Sequence, residues 1–400
     1  MSGGGDSGPI DLTVVLPTRN EAGNLKALFD GLKALAAESR IQFEVLVVDA
    51  GSHDGTAEIA AGLGARVYSQ QGSGYGAALA EAFREVSGRH VVTMDADLSH
   101  SPFVIRDLYR RRLEADVLIA SRYVRHGFSE TEALRSWLSR VLNAVFRGVL
   151  DLPYRDLSSG YRLYRREALQ ELAITSRDFD VLIEILVRLH NRGFRIVEIP
   201  FHYRPRRYGE SNARLFRFAL SYLKTLGRMS RLRASRDAAD YHDRGFFSRN
   251  PLRRAWHRGK YRWAMERLEG AARVLDLTAG STRLLEGLPQ AVGLDRSLPK
   301  LRYRQPLGRR LIRGEPRQLP FADGTFDAAA AFDLEPELER DPGLWREVAR
   351  VLKPGGRLVI GTLDVGEGEA RLERAGFAIR ERATLYGRML LLSTERPARE

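Results

Sequence analysis

Two aspartates stand two residues apart in MDADLSH (94–100), directly after an apolar run. Asp95 and Asp97 are hard oxygen donors, and such a pair at a strand end suits a divalent ion such as Mg²⁺ or Mn²⁺. An ion held there can bridge a diphosphate and neutralise it as a leaving group. A turn with solvated acids is the plain alternative, and an isolated pair would favour it. Companion motifs shift that balance. VVDAGSHDGT (47–56) places Asp49 after a second apolar run, and Asp54-Gly55-Thr56 reads as a turn and helix cap. LPTRNE (16–21) closes a third run at Pro17 and supplies polar groups able to meet a nucleoside. GSGYGAA (72–78) would let the backbone approach a diphosphate, although glycine turns alone are a weak signal.

A sheet must hold these motifs in place. Residues 12–16 (LTVVL), 43–48 (FEVLVV) and 90–94 (HVVTM) predict buried strands, with a shorter one at 66–68. Helices fall between them at 24–37, 56–63 and 77–85, the first with Leu25, Leu28, Phe29, Leu32 and Leu35 on one face. Alternating strands and helices imply an α/β domain with a parallel sheet and right-handed crossovers. Ligands of such sheets bind beyond the carboxyl ends of the strands. Pro17, Asp49 and Asp95 all fall at such ends. Further on, 131–150 predicts an amphipathic helix with Arg135, Arg140 and Arg147 among its polar positions, and 181–190 another helix.

Composition bounds the rest. At 400 residues two domains are expected, and 44% hydrophobic residues exclude wholesale disorder. The absence of cysteine excludes a disulfide scaffold, a thiolate metal site and a cysteine nucleophile. No run reaches the ~18 apolar residues of a spanning helix. MSGGGDSGPI carries no signal-peptide pattern, and residues 1–10 are expected to be disordered. The net charge of +13 is local: residues 213–262 hold fourteen Lys or Arg against three Asp, a net of +11. ARLFRFALSYLKTLGRMSRLRAS (213–235) reads as an interfacial amphipathic helix, or two broken near Gly227, gripping an anionic membrane surface. The alternative is that its apolar face packs on the preceding domain. No base-reading motif accompanies the charge, so nucleic acid is not an expected partner.

These strings, in this order, resemble family 2 glycosyltransferases of GT-A fold, above all dolichol-phosphate mannose synthases and polyprenyl-phosphate glucose synthases. The resemblance spans about 11–212 and includes ASRY (120–123), the run with Arg135, Ser139 and Asn143, DLSSGYRLYRREAL (156–169), FDVLIEIL (179–186) and IPFHYRPRRYGESN (199–212). It implies that Pro17, Arg19, Glu21 and Val48 hold the nucleoside, with Asp49 beside them. It implies that Asp95, Ala96 and Asp97 form the sugar-nucleotide and metal motif, Asp97 being the main ligand with Ser99 near it. By the same resemblance Arg122 and Arg206 bind phosphates of donor or acceptor, and Arg135 and Ser139 serve the acceptor phosphate. Three positions depart from the family: Ala50 stands where a second acid is usual, Ser99 where some members have glutamine, and Asn212 where a lysine follows the GES turn. The implied reaction is metal-dependent, inverting transfer of a sugar to a polyisoprenyl phosphate on the cytoplasmic face of a membrane. Mannose from GDP-mannose is the first expectation and glucose from UDP-glucose the second, favoured by Ala50.

The second half repeats the strand-turn logic. RVLDLTAGSTRLL (273–285), AVGLDRS (291–297), QLPFADGTFDAAAAFD (318–333) and VARVLKPGGRLVI (348–360) resemble class I S-adenosylmethionine-dependent methyltransferases of Rossmann-like fold. That implies Asp276, Gly280 and Asp295 as S-adenosylmethionine contacts. The usual G-x-G turn reads Thr278-Ala279-Gly280, and Glu315 replaces the usual aspartate before LPF. The expected organisation is a tail (1–10), a GT-A domain (11–212), a basic connector (213–262) and a methyltransferase-like domain (263–395). Competing readings are a methyltransferase carrying a degenerate glycosyltransferase, or a non-catalytic adaptor on a lipid surface.

Overall fold

The run LTVVLPT becomes the first strand because parallel strands covered on both faces need continuous apolar residues. The structure, a computed structural model, describes residues 10–39, 41–130, 133–203, 215–308, 310–364 and 366–397; the side chains at 133–135, 215–219 and 307 are outside that description. The expected disordered tail therefore lies outside the described residues, apart from Ile10. The chain divides into two units, one of Met1–His190 with Phe194–Arg233, the other of Asn191–Gly193 with Ala234–Glu400.

In the first unit the elements are β1 (Leu12–Thr18), α1 (Ala22–Ser39), β2 (Phe43–Asp49), α2 (Thr56–Gly62), β3 (Arg66–Ser69), α3 (Tyr75–Glu85), β4 (His90–Thr93) and α4 (Val104–Arg110). Then come β5 (Val117–Ser121), β6 (Phe128–Ser129), α5 (Ala133–Leu150), β7 (Arg162–Arg165), α6 (Arg166–Gln170), α7 (Val181–Asn191), β8 (Ile196–Pro200), β9 (His202–Tyr203) and α8 (Leu215–Ala234). The main sheet has the order β3-β2-β1-β4-β7-β5-β8. Every neighbouring pair is parallel except the two made by β7, which runs against β4 and β5. Short strands β6 and β9 pair separately. Leu25, Leu28, Phe29, Leu32 and Leu35 of α1 are all buried, as their spacing predicts.

Reversal of β7 has a positional effect. Arg162, its first residue, sits opposite Thr93 of β4 and Ile119 of β5. The segment entering β7 therefore reaches the same sheet edge as the segments leaving β1, β2, β4 and β5.

Helix α5 is amphipathic in an unusual sense. Phe146 and Leu150 are buried in the core, whereas Trp137, Leu138, Val141, Val145 and Val149 are exposed. Helix α8 runs unbroken through Gly227. Its Met229 is buried in the core of the first unit, with Tyr222, Leu226 and Leu232 packed around it. Among its described large apolar residues only Leu220 and Leu223 stand exposed. The stretch read as a connector is thus shared between the units, and much of its described apolar stripe is used for packing. Some of its charge is also spent internally. Arg233 is buried and donates to the carbonyls of Leu150 (2.9 Å) and Asp151 (3.0 Å), and Arg228 pairs with Glu184 (3.2 Å).

The second unit holds α9 (Tyr241–Phe246), α10 (Pro251–Leu268), β10 (Val274–Asp276), α11 (Leu284–Gly287), β11 (Ala291–Asp295), α12 (Leu298–Arg304), β12 (Arg310–Arg313) and β13 (Phe326–Phe332). It continues with α13 (Pro336–Glu339), α14 (Pro342–Val351), β14 (Leu352–Thr362), α15 (Gly368–Arg374), β15 (Ala378–Leu385) and β16 (Met389–Glu395). The sheet order is β12-β11-β10-β13-β14-β16-β15, parallel up to β14 and antiparallel at β16. Asn250 caps α10 by accepting the N–H groups of Leu252 (3.0 Å) and Arg253 (3.2 Å) ahead of Pro251. Lys260 of α10 is buried and ion-paired with Asp333.

Candidate active site

Paired acids follow β4. Leu98 adopts a left-handed backbone (φ 64°) that folds the motif tightly. Asp97 is 3% exposed, and its Oδ1 accepts the N–H (3.1 Å) and hydroxyl (2.5 Å) of Ser99. The N–H of Asp95 donates to His100 Nδ1 (2.9 Å), and His100 Nε2 lies 3.8 Å from Asp95 Oδ2. With Nδ1 accepting, a neutral ring carries its proton on Nε2, facing the carboxylate. Burial holds the His100 imidazole below its ordinary pKa, so neutral is its resting form. The ring stacks on Tyr161 (centroids 4.8 Å apart) and meets Phe201 and Tyr203 edge-on.

Arg122 follows β5. Its Nε and Nη2 donate to the two oxygens of Asp156, both at 2.8 Å, and Nη2 also donates to Ser158 Oγ (2.9 Å). The Arg122 backbone N–H adds a third bond to Asp156 (3.0 Å). Burial would raise the Asp156 carboxyl, but the charge and hydrogen bonds of Arg122 hold it below the usual range. Glu198 fixes this loop from behind by accepting the N–H groups of Arg155 (2.8 Å) and Asp156 (2.9 Å).

Asp95, His100, Arg122, Ser158 and Gly160 line one cavity of about 150 Å³, together with Tyr75, Phe179 and Tyr203. A Cβ at Gly160 would come within 2.9 Å of the Tyr75 hydroxyl, so any larger residue there would displace Tyr75. Tyr75 stacks on Phe179 (4.7 Å). Burial and then the Asp95 charge push its hydroxyl far above the ordinary pKa, keeping it a donor.

Loops after β1 and β2 are laced to each other at the same edge. Asp49 accepts from the Thr18 hydroxyl (3.1 Å) and from the Ser52 N–H (2.9 Å) and hydroxyl (2.5 Å), which leaves it shaping the loop. The Asp54 side chain accepts from Thr56 N–H (3.1 Å) and Ala22 N–H (3.0 Å); the residue at the cap position is Gly55, left-handed at φ 86°. Arg19 is exposed, and Pro17 and Glu21 are half-buried beside it. Val48 and Ala96 have their side chains in the core, so only their backbones can meet a ligand. Arg206 and the Arg135 side chain lie outside the described residues. Sequence reasoning missed His100, Tyr75, Phe179 and Asp156. All four stood inside quoted motifs, but Asp156 meets Arg122 across 34 residues of chain, which no local pattern reveals.

Among the described residues no group of three or more His, Cys, Asp or Glu can hold a metal. Two carboxylates and a hydroxyl nonetheless fit Mg²⁺ or Mn²⁺, which commonly keep one or two protein carboxylates and leave the remaining positions to phosphate and water.

In the second unit the three expected residues meet at the carboxyl edge of β10 and β11. Gly280 N–H donates to Asp295 Oδ2 (3.0 Å) and Ser297 N–H to Oδ1 (2.8 Å). Asp276 is fully buried, accepts from Thr278 N–H (3.1 Å) and the Thr282 hydroxyl, and burial pushes its carboxyl up to about 6. Asp295 keeps lone pairs for a ribose hydroxyl, so the residues fit the sugar end of an adenosyl cofactor.

Fold and edge chemistry together define a GT-A-type glycosyltransferase unit in a chain whose other unit is an α/β domain of Rossmann-like methyltransferase type. The sequence profile of glycosyl transferase family 2 matches residues 13–173, and that of a methyltransferase domain matches 275–360. The chain is 32% identical over 245 residues to the polyprenol monophosphomannose synthase of Mycolicibacterium smegmatis, covering 55% of this chain and 89% of that one. It is 33% identical over 211 residues to the dolichol-phosphate mannosyltransferase of Pyrococcus furiosus, covering 50% of this chain but only 58% of that relative. A solved glucosyl-3-phosphoglycerate synthase from Mycobacterium tuberculosis, in complex with Mn²⁺, UDP and phosphoglyceric acid, aligns at TM-score 0.45 and 24% identity, covering 55% of this chain and 78% of that one. The chain belongs to glycosyl transferase family 2. It is a glycosyltransferase related to the polyprenol-phosphate mannose synthases and fused to a methyltransferase-type domain.

Proposed function

We propose that the first unit transfers mannose from GDP-mannose to a polyisoprenyl phosphate, with inversion, at a membrane surface. The observation that carries this reading is the placement of Asp95 and the Asp156-anchored Arg122 on one cavity, with Asp97 beside it, in a chain similar to a polyprenol monophosphomannose synthase. An acceptor phosphate is already an anion at neutral pH and needs no general base. It needs screening, so that two anions can approach. Arg122, held by Asp156 in a fixed orientation, offers its charge to the cavity; Arg135 and Arg206 are proposed to add theirs. Asp95 and Asp97, with Ser99, would hold a divalent cation, which when bound neutralises the diphosphate as it leaves. Tyr75, kept protonated, donates a hydrogen bond into the same space. Pro17, Arg19 and Glu21 would receive the nucleoside beside the β1–β2 loops.

Membrane attachment is supported by α5. Its exposed Trp137, Leu138, Val141, Val145 and Val149 are interspersed with exposed Arg140 and Arg147, and α8 adds Leu220, Leu223 and Lys224. Each cation near an anionic surface contributes about 1 kcal/mol. No helix among the described residues is long and apolar enough to cross a membrane. In the second unit Asp276, Gly280 and Asp295 would hold S-adenosylmethionine, whose chemistry is methyl donation; titration calorimetry with that compound tests the assignment.

The test of the first unit is transfer of label from GDP-mannose or UDP-glucose to polyprenyl phosphate with Mg²⁺, followed by organic extraction. Lipid-soluble label from GDP-mannose is expected. Label from UDP-glucose alone would replace mannose by glucose, the reading Ala50 favours. Label from neither would remove the proposal. Asp97→Ala should lose roughly 100-fold or more in turnover, and full activity would sink its role at the cation.

A further inference from the structure

Helix α5 differs on its two sides. One side bears the exposed apolar stripe. The other buries Phe146, Leu150 and a polar residue, Asn143, only 4% exposed. Its amide is fully engaged. Oδ1 accepts the Leu157 N–H (2.7 Å), while Nδ2 donates to the Ser139 carbonyl (2.8 Å) and to Ser158 Oγ (3.0 Å). Ser158 Oγ also accepts from Arg122 Nη2 (2.9 Å) and donates to Asp156 (3.3 Å). Two hydrogen bonds therefore separate a residue of α5 from the guanidinium on the cavity. A second tie runs parallel to the first, from the Tyr123 hydroxyl to Ser139 Oγ (2.8 Å).

The chemistry at position 143 is restrictive. An amide accepts and donates from one planar group, and both capacities are used. An aliphatic residue would leave the buried Leu157 N–H without its partner, and a carboxylate could not donate to Ser158. The bonds go to the segment entering β7, the same segment that presents Asp156 to Arg122. We infer that Asn143 is a positioning residue for the transfer step: it holds the 157–158 backbone and, through Ser158, fixes the orientation of Arg122. The helix that offers an apolar stripe to its surroundings is then also the mount of the phosphate-facing arginine. This rests on the proposed role of Arg122 toward phosphate.

A double-mutant cycle tests it. Turnover and KM for both substrates are measured for Asn143→Ala, Ser158→Ala, Arg122→Lys and the paired variants. Lysine keeps a charge but cannot make the two-pronged bond to Asp156, so activity should stay measurable. Asn143→Ala and Ser158→Ala should each lower kcat roughly 10- to 100-fold, with donor KM nearly unchanged. On the Arg122→Lys background either should cost no more than about a further twofold, because the group they orient is already lost. Losses that multiply in full on that background would show an independent folding role and overturn the inference. Should Asn143→Ala fail to yield folded protein, Ser158→Ala carries the same comparison. If Arg122→Lys alone turned over like the native enzyme, the phosphate role of Arg122 would fall, and the inference with it.

Discussion

Asp156 and Asp276 are both carboxylates sealed from water, with opposite consequences for acidity. Asp156 has a guanidinium across two short hydrogen bonds, and its carboxyl is held below the usual value despite burial. Its contribution is present above the unfolded value near 4 and is lost as pH falls through the lower folded value. Asp276 is buried with hydrogen bonds from Thr278 and Thr282, and its carboxyl rises to about 6. A folded pKa above the unfolded one favours the native state at low pH, and that advantage disappears as pH rises through about 6. The two-unit gap corresponds to roughly 3 kcal/mol charged against the second unit at neutral pH. Asp276→Asn is therefore expected to stabilise the protein at pH 7.5 and to bring little or no gain at pH 4. Thermal unfolding at both values checks this; an equal shift at the two would show that ionisation is not the cause.

Helices α5 and α8 divide their apolar residues between core and surface differently. The basic amphipathic sequence of α8 reads as the membrane element, yet Met229, with Tyr222, Leu226 and Leu232, gives much of its apolar stripe to the core, leaving Leu220 and Leu223 outside. On α5 the apolar side chains are the ones left out, with Trp137 at 59% and Val149 at 54% exposure. The exposed stripe is the proposed contact with lipid, so Trp137→Ser with Leu138→Ser should release the protein from anionic vesicles in a flotation assay. Burial of such side chains contributes about 1.5–3 kcal/mol each, so the loss of partitioning should exceed tenfold. Raising salt should weaken the arginine contribution and leave the apolar part. Unchanged flotation of the double variant would move the contact elsewhere.

At the scale of the molecule, legibility followed locality. Pro17, Asp49 and Asp95 could be placed on one edge because each ends a local apolar run, and parallel strands bring such ends together. The second sheet was legible in the same way from RVLDL, AVGLD and GRLVI. Asp156, Asn143 and the closure of the cavity by Gly160 were not, since they depend on β7 running against its neighbours, and a four-residue strand carries no mark of direction in its sequence. That reversal also sets where the first unit can be lengthened. In an all-parallel sheet the connections entering strands lie away from ligands. Here the one entering β7 is part of the site, whereas the turn at Gly64, open to solvent and entering β3, is not. A short Gly-Ser graft at Gly64 should leave turnover within about twofold of native, as expected for an exposed loop tip. The same graft between Ser158 and Gly160 should abolish it, and equal tolerance at both would contradict the edge assignment. For anyone wishing to append a label or re-specify the acceptor, the direction of one short strand decides which loop is a handle and which is a lock.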